Sequence, residues 1–180
     1  IVFVHGNSSS SNAFSKILNG SLKDKYRLIA IDLPGHGGSA RASDPATYSL
    51  PGYANVVAAV AEALDASEGV FVGWSLGGHI ILEGAEKLAD AAGFVIFGTP
   101  PVASAAAMGE AFMPNPTNAI LFEPSLTDEQ CQQFADGSFR PGESAPPEFV
   151  ADIRHTDGQA RANMGGSIVA GNFTDEVAIV

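Results

Sequence analysis

The chain has 180 residues, of which 46% are hydrophobic and 16% are charged, so it is long and apolar enough to bury the core of one domain. Its 20 acidic and 9 basic residues give a formal net charge of −11, which argues against nucleic acid and anionic membranes as partners. A single cysteine, Cys131, excludes an internal disulfide and is typical of a reducing compartment. We expect a cytoplasmic protein, because no signal peptide or membrane-spanning run is visible in the sequence.

Strands alternate with helices in the first hundred residues. Apolar, β-branched runs predict strands at residues 1–4, 27–31, 70–72 and 94–97. Between them, a short helix is expected to end at Leu18, with Ser11 or Asn12 as its cap. Apolar residues recur at helical spacing from Tyr53 to Leu64, after Ser49 or Pro51, and a further helix is expected from about residue 76 to Leu88. This alternation predicts a parallel sheet that helices cover on both faces.

Three loops at the carboxyl ends of these strands carry candidate functional residues. His5-Gly6-Asn7 follows the first strand, Asp32 follows the second, and Ser75 follows the third. Ligands of open α/β sheets bind at the carboxyl ends of strands, so we expect these loops to converge on one crevice.

Ser75 lies in the sequence Gly-Trp-Ser-Leu-Gly, between a predicted strand and a predicted helix. A turn this sharp excludes side chains at Gly73 and Gly77, and it holds the serine in a strained conformation with its hydroxyl exposed. The N–H of Leu76, and that of Asn7 after the turn at Gly6, can stabilise an oxyanion beside it. We interpret Ser75 as a nucleophile; the competing interpretation, a chance match in a glycine-rich loop, is disfavoured by the flanking strand and helix.

The composition changes after Pro101. Residues 127–130 form a capping box that predicts a helix to Ala135, and Pro146-Pro147 opens another with Phe149 and Ile153 on one face. We interpret residues 102–170 as a helical cap over a core at 1–101, and 171–180 as the return to the sheet; an ordinary helical edge is the alternative. The segment contains large apolar side chains that can together line a pocket, namely Met108, Phe112, Met113, Phe122, Phe134, Phe139 and Phe149.

The three loops resemble those of the α/β-hydrolase superfamily. The matching stretches are His5-Gly6, Asp32-Leu33-Pro34-Gly35-His36-Gly37 and Gly73-Trp74-Ser75-Leu76-Gly77-Gly78. A closer resemblance, to the metal-independent N-acyl-homoserine lactonases of that fold, extends over residues 5–10, 48–54, 73–80, 98–102 and 156–161. The resemblance implies a parallel sheet flanked by helices with a helical cap, a Ser–acid–His triad in that chain order, and an oxyanion hole from the N–H groups of Asn7 and Leu76.

Neither the acid nor the base of such a triad is found within residues 1–180. His5 and His36 belong to loop motifs and are interpreted as structural, while residues 98–101 offer no carboxylate. We therefore expect both groups beyond Val180. The apolar run at 1–4 and a predicted strand at 177–180 are interpreted as truncations within a larger domain. Residues 1–180 alone are then expected to have negligible hydrolase activity and poor stability.

The predicted function is that of a serine hydrolase acting on carboxylic esters or lactones with an apolar acyl chain, and the closer resemblance implies N-acyl-homoserine lactones. Gly6, Trp74 and Phe134 are the predicted pocket residues. A carbon–carbon bond hydrolase, a haloperoxidase-like enzyme and a non-catalytic ligand-binding protein are the alternatives. We expect no cofactor or metal, since the His-x-His-x-Asp-His spacing of a metal-dependent lactonase is missing from the sequence. The oligomeric state is left open.

Overall fold

The computed structural model describes residues 1–118 and 120–180 and contains a four-stranded parallel sheet. Its strands are β1 (Val2–Val4), β2 (Ile29–Ile31), β3 (Val70–Trp74) and β4 (Gly93–Phe97). The spatial order is β2-β1-β3-β4, and each neighbouring pair is parallel. The chain moves from β1 to β2 on one side and returns to β3 on the other. A crevice therefore opens between the carboxyl ends of β1 and β3, where the strand order reverses.

Helices follow the strands in the predicted alternation. They are α1 (Ser15–Leu18), α2 (Leu50–Ala63), α3 (Leu76–Glu83), α4 (Ala105–Ala111), α5 (Asp128–Gly137), α6 (Pro147–His155) and α7 (Gly158–Val169). Helices α1, α2, α3, α5 and α6 were predicted from the sequence, whereas α4 and α7 were not. The side chain of Ser10, rather than Ser11 or Asn12, caps the short 3-10 turn that leads into α1. Within the described residues, no helix combines the length and the apolar character that a membrane crossing requires.

The main core lies between the sheet and the pair α2 and α3. Helix α2 begins after Ser49, whose hydroxyl accepts a hydrogen bond from the N–H of Gly52. Its apolar face and that of α3 are buried against the strands, as the helical spacing predicts. The buried side chains shared by these elements include Val2, Val4, Phe71, Tyr53, Val57, Ala61, Ile80 and Ile81.

The opposite face of the sheet is covered only in part. Phe3 packs against Phe14, with ring centroids 5.0 Å apart, at the start of the short α1 region. At the β4 edge, Val95 and Phe97 remain 50% and 46% exposed. The one described turn of α-helix on this side, α1, is too short to span the whole sheet.

A second apolar cluster is formed by the segment after Pro101. It contains Ile120, Cys131, Phe134, Ala135, Ala145, Phe149, Val150 and Ile153. The predicted capping box at Thr127 is present, and Phe149 and Ile153 of α6 are buried in this cluster as expected. Trp74, at the carboxyl end of β3, packs against the cluster, with its ring centroid 6.1 Å from that of Phe149. The division into a core and a separate cap stays a prediction.

The strand predicted at residues 177–180 is wrong. Glu176–Ala178 forms a 3-10 turn, because the carboxylate of Asp175 accepts hydrogen bonds from the N–H groups of Val177 and Ala178. Glu176 itself is fully buried. The apolar side chains that suggested a buried strand are largely exposed, with Val177 at 53% and Val180 at 72%.

Candidate active site

Ser75 occupies the sharp turn between β3 and α3 with φ +52° and ψ −119°, a conformation that a non-glycine residue rarely adopts. A Cβ atom on Gly73 would lie 2.5 Å from the carbonyl oxygen of Gly77. A Cβ atom on Gly77 would collide with the carbonyl oxygen of Val4. The predicted steric role of both glycines is confirmed, since neither position can hold a side chain without moving the backbone.

The strained serine is held in place by the end of β4. The N–H of Ser75 donates to the carbonyl of Phe97 at 2.9 Å, and the Thr99 hydroxyl donates to the carbonyl of Ser75 at 2.8 Å. The buried Thr99 side chain also occupies the space beside Gly78, where a Cβ atom would come within 2.8 Å of the threonine Cβ. Thr99 was missed from the sequence, because a threonine before two prolines has no local pattern that indicates contact with the nucleophile turn.

The loop after β1 lies directly beside Ser75. A Cβ atom on Gly6 would be only 3.3 Å from the Cβ of Ser75, so the backbone approaches the serine as closely as a glycine permits. The Asn7 side chain donates from Nδ2 to the carbonyl of Leu121 at 2.8 Å, which anchors this loop to the segment after Pro101. Within the described residues, the backbone N–H groups of Asn7 and Leu76 have no hydrogen-bond acceptor. Both are therefore available to a ligand.

A cavity of about 310 Å³ opens beside Ser75. The structure brings the six sequence-predicted site residues to its wall, namely Gly6, Asn7, Trp74, Ser75, Leu76 and Phe134. Met108, Phe112, Phe122 and Phe149 contribute apolar surface from the segment after Pro101. Two of the expected lining residues are elsewhere: Met113 is 87% exposed, and Phe139 packs its ring 5.9 Å from Phe149 without reaching the cavity wall.

Asp32 does not join this crevice, contrary to expectation. Strand β2 lies on the far side of β1 from β3, so the loop after β2 starts one strand away from Ser75. The Asp32 carboxylate accepts hydrogen bonds from the N–H groups of Ser11 at 2.6 Å and Gly38 at 2.8 Å. Burial acts to raise the pKa of Asp32, but these hydrogen bonds outweigh it and lower the pKa. Asp32 thus ties two loops together.

His5 and His36 are buried beneath the loops, which agrees with their interpretation as structural residues. The His5 ring donates from Nδ1 to the carbonyl of Gly6 at 2.8 Å and accepts from the N–H of Leu33 at Nε2. Its centroid lies 5.1 Å from that of His36. Burial lowers the pKa of His5 to about 4 and that of His36 to about 3, because the charged rings would lose their hydration.

These depressed pKa values predict a loss of stability in mild acid. The unfolded histidines bind protons below their ordinary pKa of 6.5, whereas the folded ones stay neutral down to about 4 and 3. The free energy of unfolding is therefore at its full value above about pH 6.5. It decreases as the pH is lowered further, by about 2 kcal/mol for each histidine between pH 7 and pH 5. Urea unfolding at several pH values should show this fall, and His36→Asn should reduce it by about half. His155→Gln, at an exposed position, should leave it unchanged; an unchanged fall in His36→Asn would contradict the assignment.

His79 and Glu176 form a buried pair that the sequence analysis missed. The Nδ1 of His79 lies 2.8 and 2.9 Å from the two carboxylate oxygens of Glu176, which also accepts the N–H of Val102 at 2.9 Å. His79 lies on the cavity wall, one helical turn after Ser75. The fourth histidine, His155, is exposed at the end of α6. Within the described residues, the hydroxyl of Ser75 has no hydrogen-bond partner, and no cluster of three metal-ligating side chains occurs.

Comparisons with known proteins show which family has this sequence pattern. A family model described as "Alpha/beta hydrolase family" matches residues 1–174. The chain is 40% identical over 85 residues to the uncharacterized hydrolase YugF of Bacillus subtilis. It is 33% identical over 101 residues to a pimeloyl-[acyl-carrier protein] methyl ester esterase of Xylella fastidiosa. These matches cover 47% and 56% of the chain, and 30% and 36% of the relatives.

Solved structures include one of a lactonase that is similar over nearly the whole chain. It is the N-acyl homoserine lactonase AidH in complex with N-butanoyl homoserine, with a TM-score of 0.93 and 36% identity. The alignment covers 99% of this chain and 65% of the lactonase chain, so the sequence spans less than two thirds of that protein. The predicted fold, a parallel sheet flanked by helices, is confirmed. Since the family model matches residues 1–174, the chain belongs to the α/β-hydrolase family.

Proposed function

We propose that the protein is a serine hydrolase that cleaves carboxylic esters or lactones, with N-acyl-homoserine lactones as its leading substrates. One observation carries this proposal: Ser75 stands at a strained turn, with φ +52°, on the wall of a largely apolar cavity beside the free N–H groups of Asn7 and Leu76. The similar structure with N-butanoyl homoserine bound supports an acyl-homoserine ligand for this cavity. An esterase among the relatives supports carbonyl chemistry on acyl esters.

The chemistry assigned to these residues is acyl transfer. The Ser75 hydroxyl attacks the carbonyl carbon of the ester or lactone, and the N–H groups of Asn7 and Leu76 stabilise the oxyanion that forms. A base takes the proton of the Ser75 hydroxyl and passes it to the alkoxide, which leaves as an alcohol that stays joined to the acyl group in a lactone. Water, activated by the same base, then hydrolyses the acyl-serine and restores the Ser75 hydroxyl. Met108, Phe112 and Phe122 provide the apolar surface that the acyl chain contacts.

The general base and its acid partner are proposed to come from residues after Val180 in the full-length protein. None of the described side chains makes a hydrogen bond with the Ser75 hydroxyl, and the hydroxyl of Thr99 bonds the carbonyl of Ser75 instead. His79, the histidine on the cavity wall, has its Nδ1 atom hydrogen-bonded to Glu176, and its Nε2 atom makes no hydrogen bond with Ser75. A base that approaches from another element is consistent with the exposed position of a nucleophile at such a turn.

Covalent labelling tests the nucleophile. We expect a fluorophosphonate probe to modify Ser75 of the full-length protein, as located by mass spectrometry of its peptides, and to leave Ser75→Ala unlabelled. Hydrolysis of N-hexanoyl-homoserine lactone, p-nitrophenyl hexanoate and a β-diketone then compares lactone, ester and carbon–carbon cleavage. Labelling of another serine would contradict the proposed mechanism. Turnover of the diketone alone would contradict the proposed substrate class.

A further inference from the structure

His79 is a polar residue of the cavity wall to which the proposed acyl transfer assigns no role. The side chain is buried, and within the described residues its Nε2 atom has no hydrogen-bond partner. A buried nitrogen without a partner has lost its hydration without compensation, so native proteins rarely leave one unless something binds there. His79 shares the cavity wall with Ser75. The unsatisfied atom therefore belongs to a ligand-binding surface.

Glu176 determines which ring nitrogen is free. Its carboxylate is fully buried and accepts from both Nδ1 of His79 and the N–H of Val102. Since a carboxylate can only accept, the Nδ1 atom carries the proton. In the neutral ring, Nε2 then presents a lone pair, which accepts hydrogen bonds. The Phe112 ring, with its centroid 6.1 Å from that of His79, packs against the imidazole and limits its movement.

We propose that His79 is a specificity-determining residue whose Nε2 accepts a hydrogen bond from the amide N–H of an N-acyl ligand, and that Glu176 is the positioning residue that fixes its tautomer. This inference rests on the proposed function. The free N–H groups beside Ser75 serve the carbonyl under attack, but they cannot pair with an N–H of the ligand. The remaining lining is largely apolar, so an amide buried there needs an acceptor. The protein should therefore prefer an N-acyl lactone to the matching O-acyl lactone.

A pair of ligands that differ in one atom tests this preference. N-hexanoyl-homoserine lactone and α-hexanoyloxy-γ-butyrolactone have the same shape, but the second has an ester oxygen in place of the amide N–H. Calorimetric titration of the full-length Ser75→Ala protein keeps both ligands intact. We expect it to bind the amide about tenfold more tightly than the ester.

Two substitutions, each added to Ser75→Ala, isolate the contributions of the pair. His79→Asn places an amide near the position of Nδ1, which can still donate to Glu176, but leaves no atom at Nε2. The ratio of the Kd of the ester to the Kd of the amide should then fall to less than about two. Glu176→Gln allows its new amide to donate to Nδ1, which moves the ring proton to Nε2 and turns the acceptor into a donor. This variant should also lose the amide preference, and it tests the same proposal if His79→Asn does not fold.

The outcomes separate the two proposals. An unchanged preference in His79→Asn and Glu176→Gln would overturn the role of His79 and leave the proposed function standing. Equal binding of the two ligands by Ser75→Ala would overturn it as well. If both variants bound both ligands more weakly by the same factor, His79 and Glu176 would have only a structural role, and the proposed role of His79 would also be overturned. Failure of Ser75→Ala to bind either ligand would contradict the proposed substrate itself.

Discussion

Replacing Ser75 by alanine in the full-length protein should reduce kcat/KM for an acyl ester or lactone by about 10⁴-fold or more, while the Kd of the substrate changes by less than about threefold. The reason is geometric. Ser75 is at the one non-glycine position of its turn with positive φ, and a methyl group there preserves the cavity wall but removes the attacking oxygen. The backbone N–H groups of Asn7 and Leu76 stay in place, so binding of the carbonyl is retained. Steady-state kinetics and calorimetric titration measure the two quantities.

Ser138→Ala is the matched control for Ser75→Ala. Ser138 also lies on the cavity wall, but its hydroxyl donates to the carbonyl of Phe134 at 3.1 Å and has no link to the nucleophile turn. Loss of this hydrogen bond should lower kcat/KM by less than about tenfold. A Ser75→Ala protein that retained more than a few per cent of the wild-type rate would contradict a serine mechanism.

Gly77→Ala should destabilise the fold by about 3–5 kcal/mol, or prevent it from forming. A Cβ atom at this position would collide with the carbonyl oxygen of Val4 and lie 2.8 Å from that of His5. Both oxygens belong to the backbone of β1 and the loop that follows it, so no side-chain rotation relieves the collision. Separation of α3 from β1 would open the core at Leu76 and Ile80. Urea unfolding followed by circular dichroism measures the change.

Gly166→Ala is the control for Gly77→Ala. Gly166 is an exposed residue within α7, and apart from its chain neighbours and the nearby backbone of its own helix, no atom lies within 4 Å of the position that its Cβ would occupy. Alanine is a better helix former than glycine, so this change should stabilise the protein by about 0.5–1 kcal/mol. If Gly77→Ala cost less than about 1 kcal/mol, the close approach of α3 to β1 would be wrong.

The nucleophile turn could be predicted because its determinants are local. An apolar strand, two glycines that flank a serine and the start of a helix all lie within residues 70–80. The steric reasons for Gly73 and Gly77, and the strained backbone of Ser75, follow from the covalent geometry of that short stretch. Helix α2 was predictable for a similar reason, since its cap residue directly precedes it and its apolar residues recur at helical spacing.

The supporting contacts of the site could not be predicted, because they join residues that are far apart in sequence. Thr99 reaches the carbonyl of Ser75 across 24 positions, and Glu176 reaches His79 across 97. Neither residue has a local pattern, and Glu176 lies in a stretch whose apolar neighbours suggested a strand. For Asp32, a local motif led to a wrong prediction of its position. Its loop motif was recognised, but strand order decided that it would lie one strand away from Ser75.

The sequence by itself determined the alternation of strands and helices, the position of Ser75 and the identity of the loop beside it, since side-chain periodicity and glycine sterics act over a few residues. Only the tertiary structure decided which strands are neighbours, which apolar side chains after Pro101 reach the cavity, and that His79 meets a buried carboxylate. Those outcomes depend on contacts between distant segments. The free energy of such contacts comes from burial and hydrogen bonding in three dimensions, which no local pattern encodes.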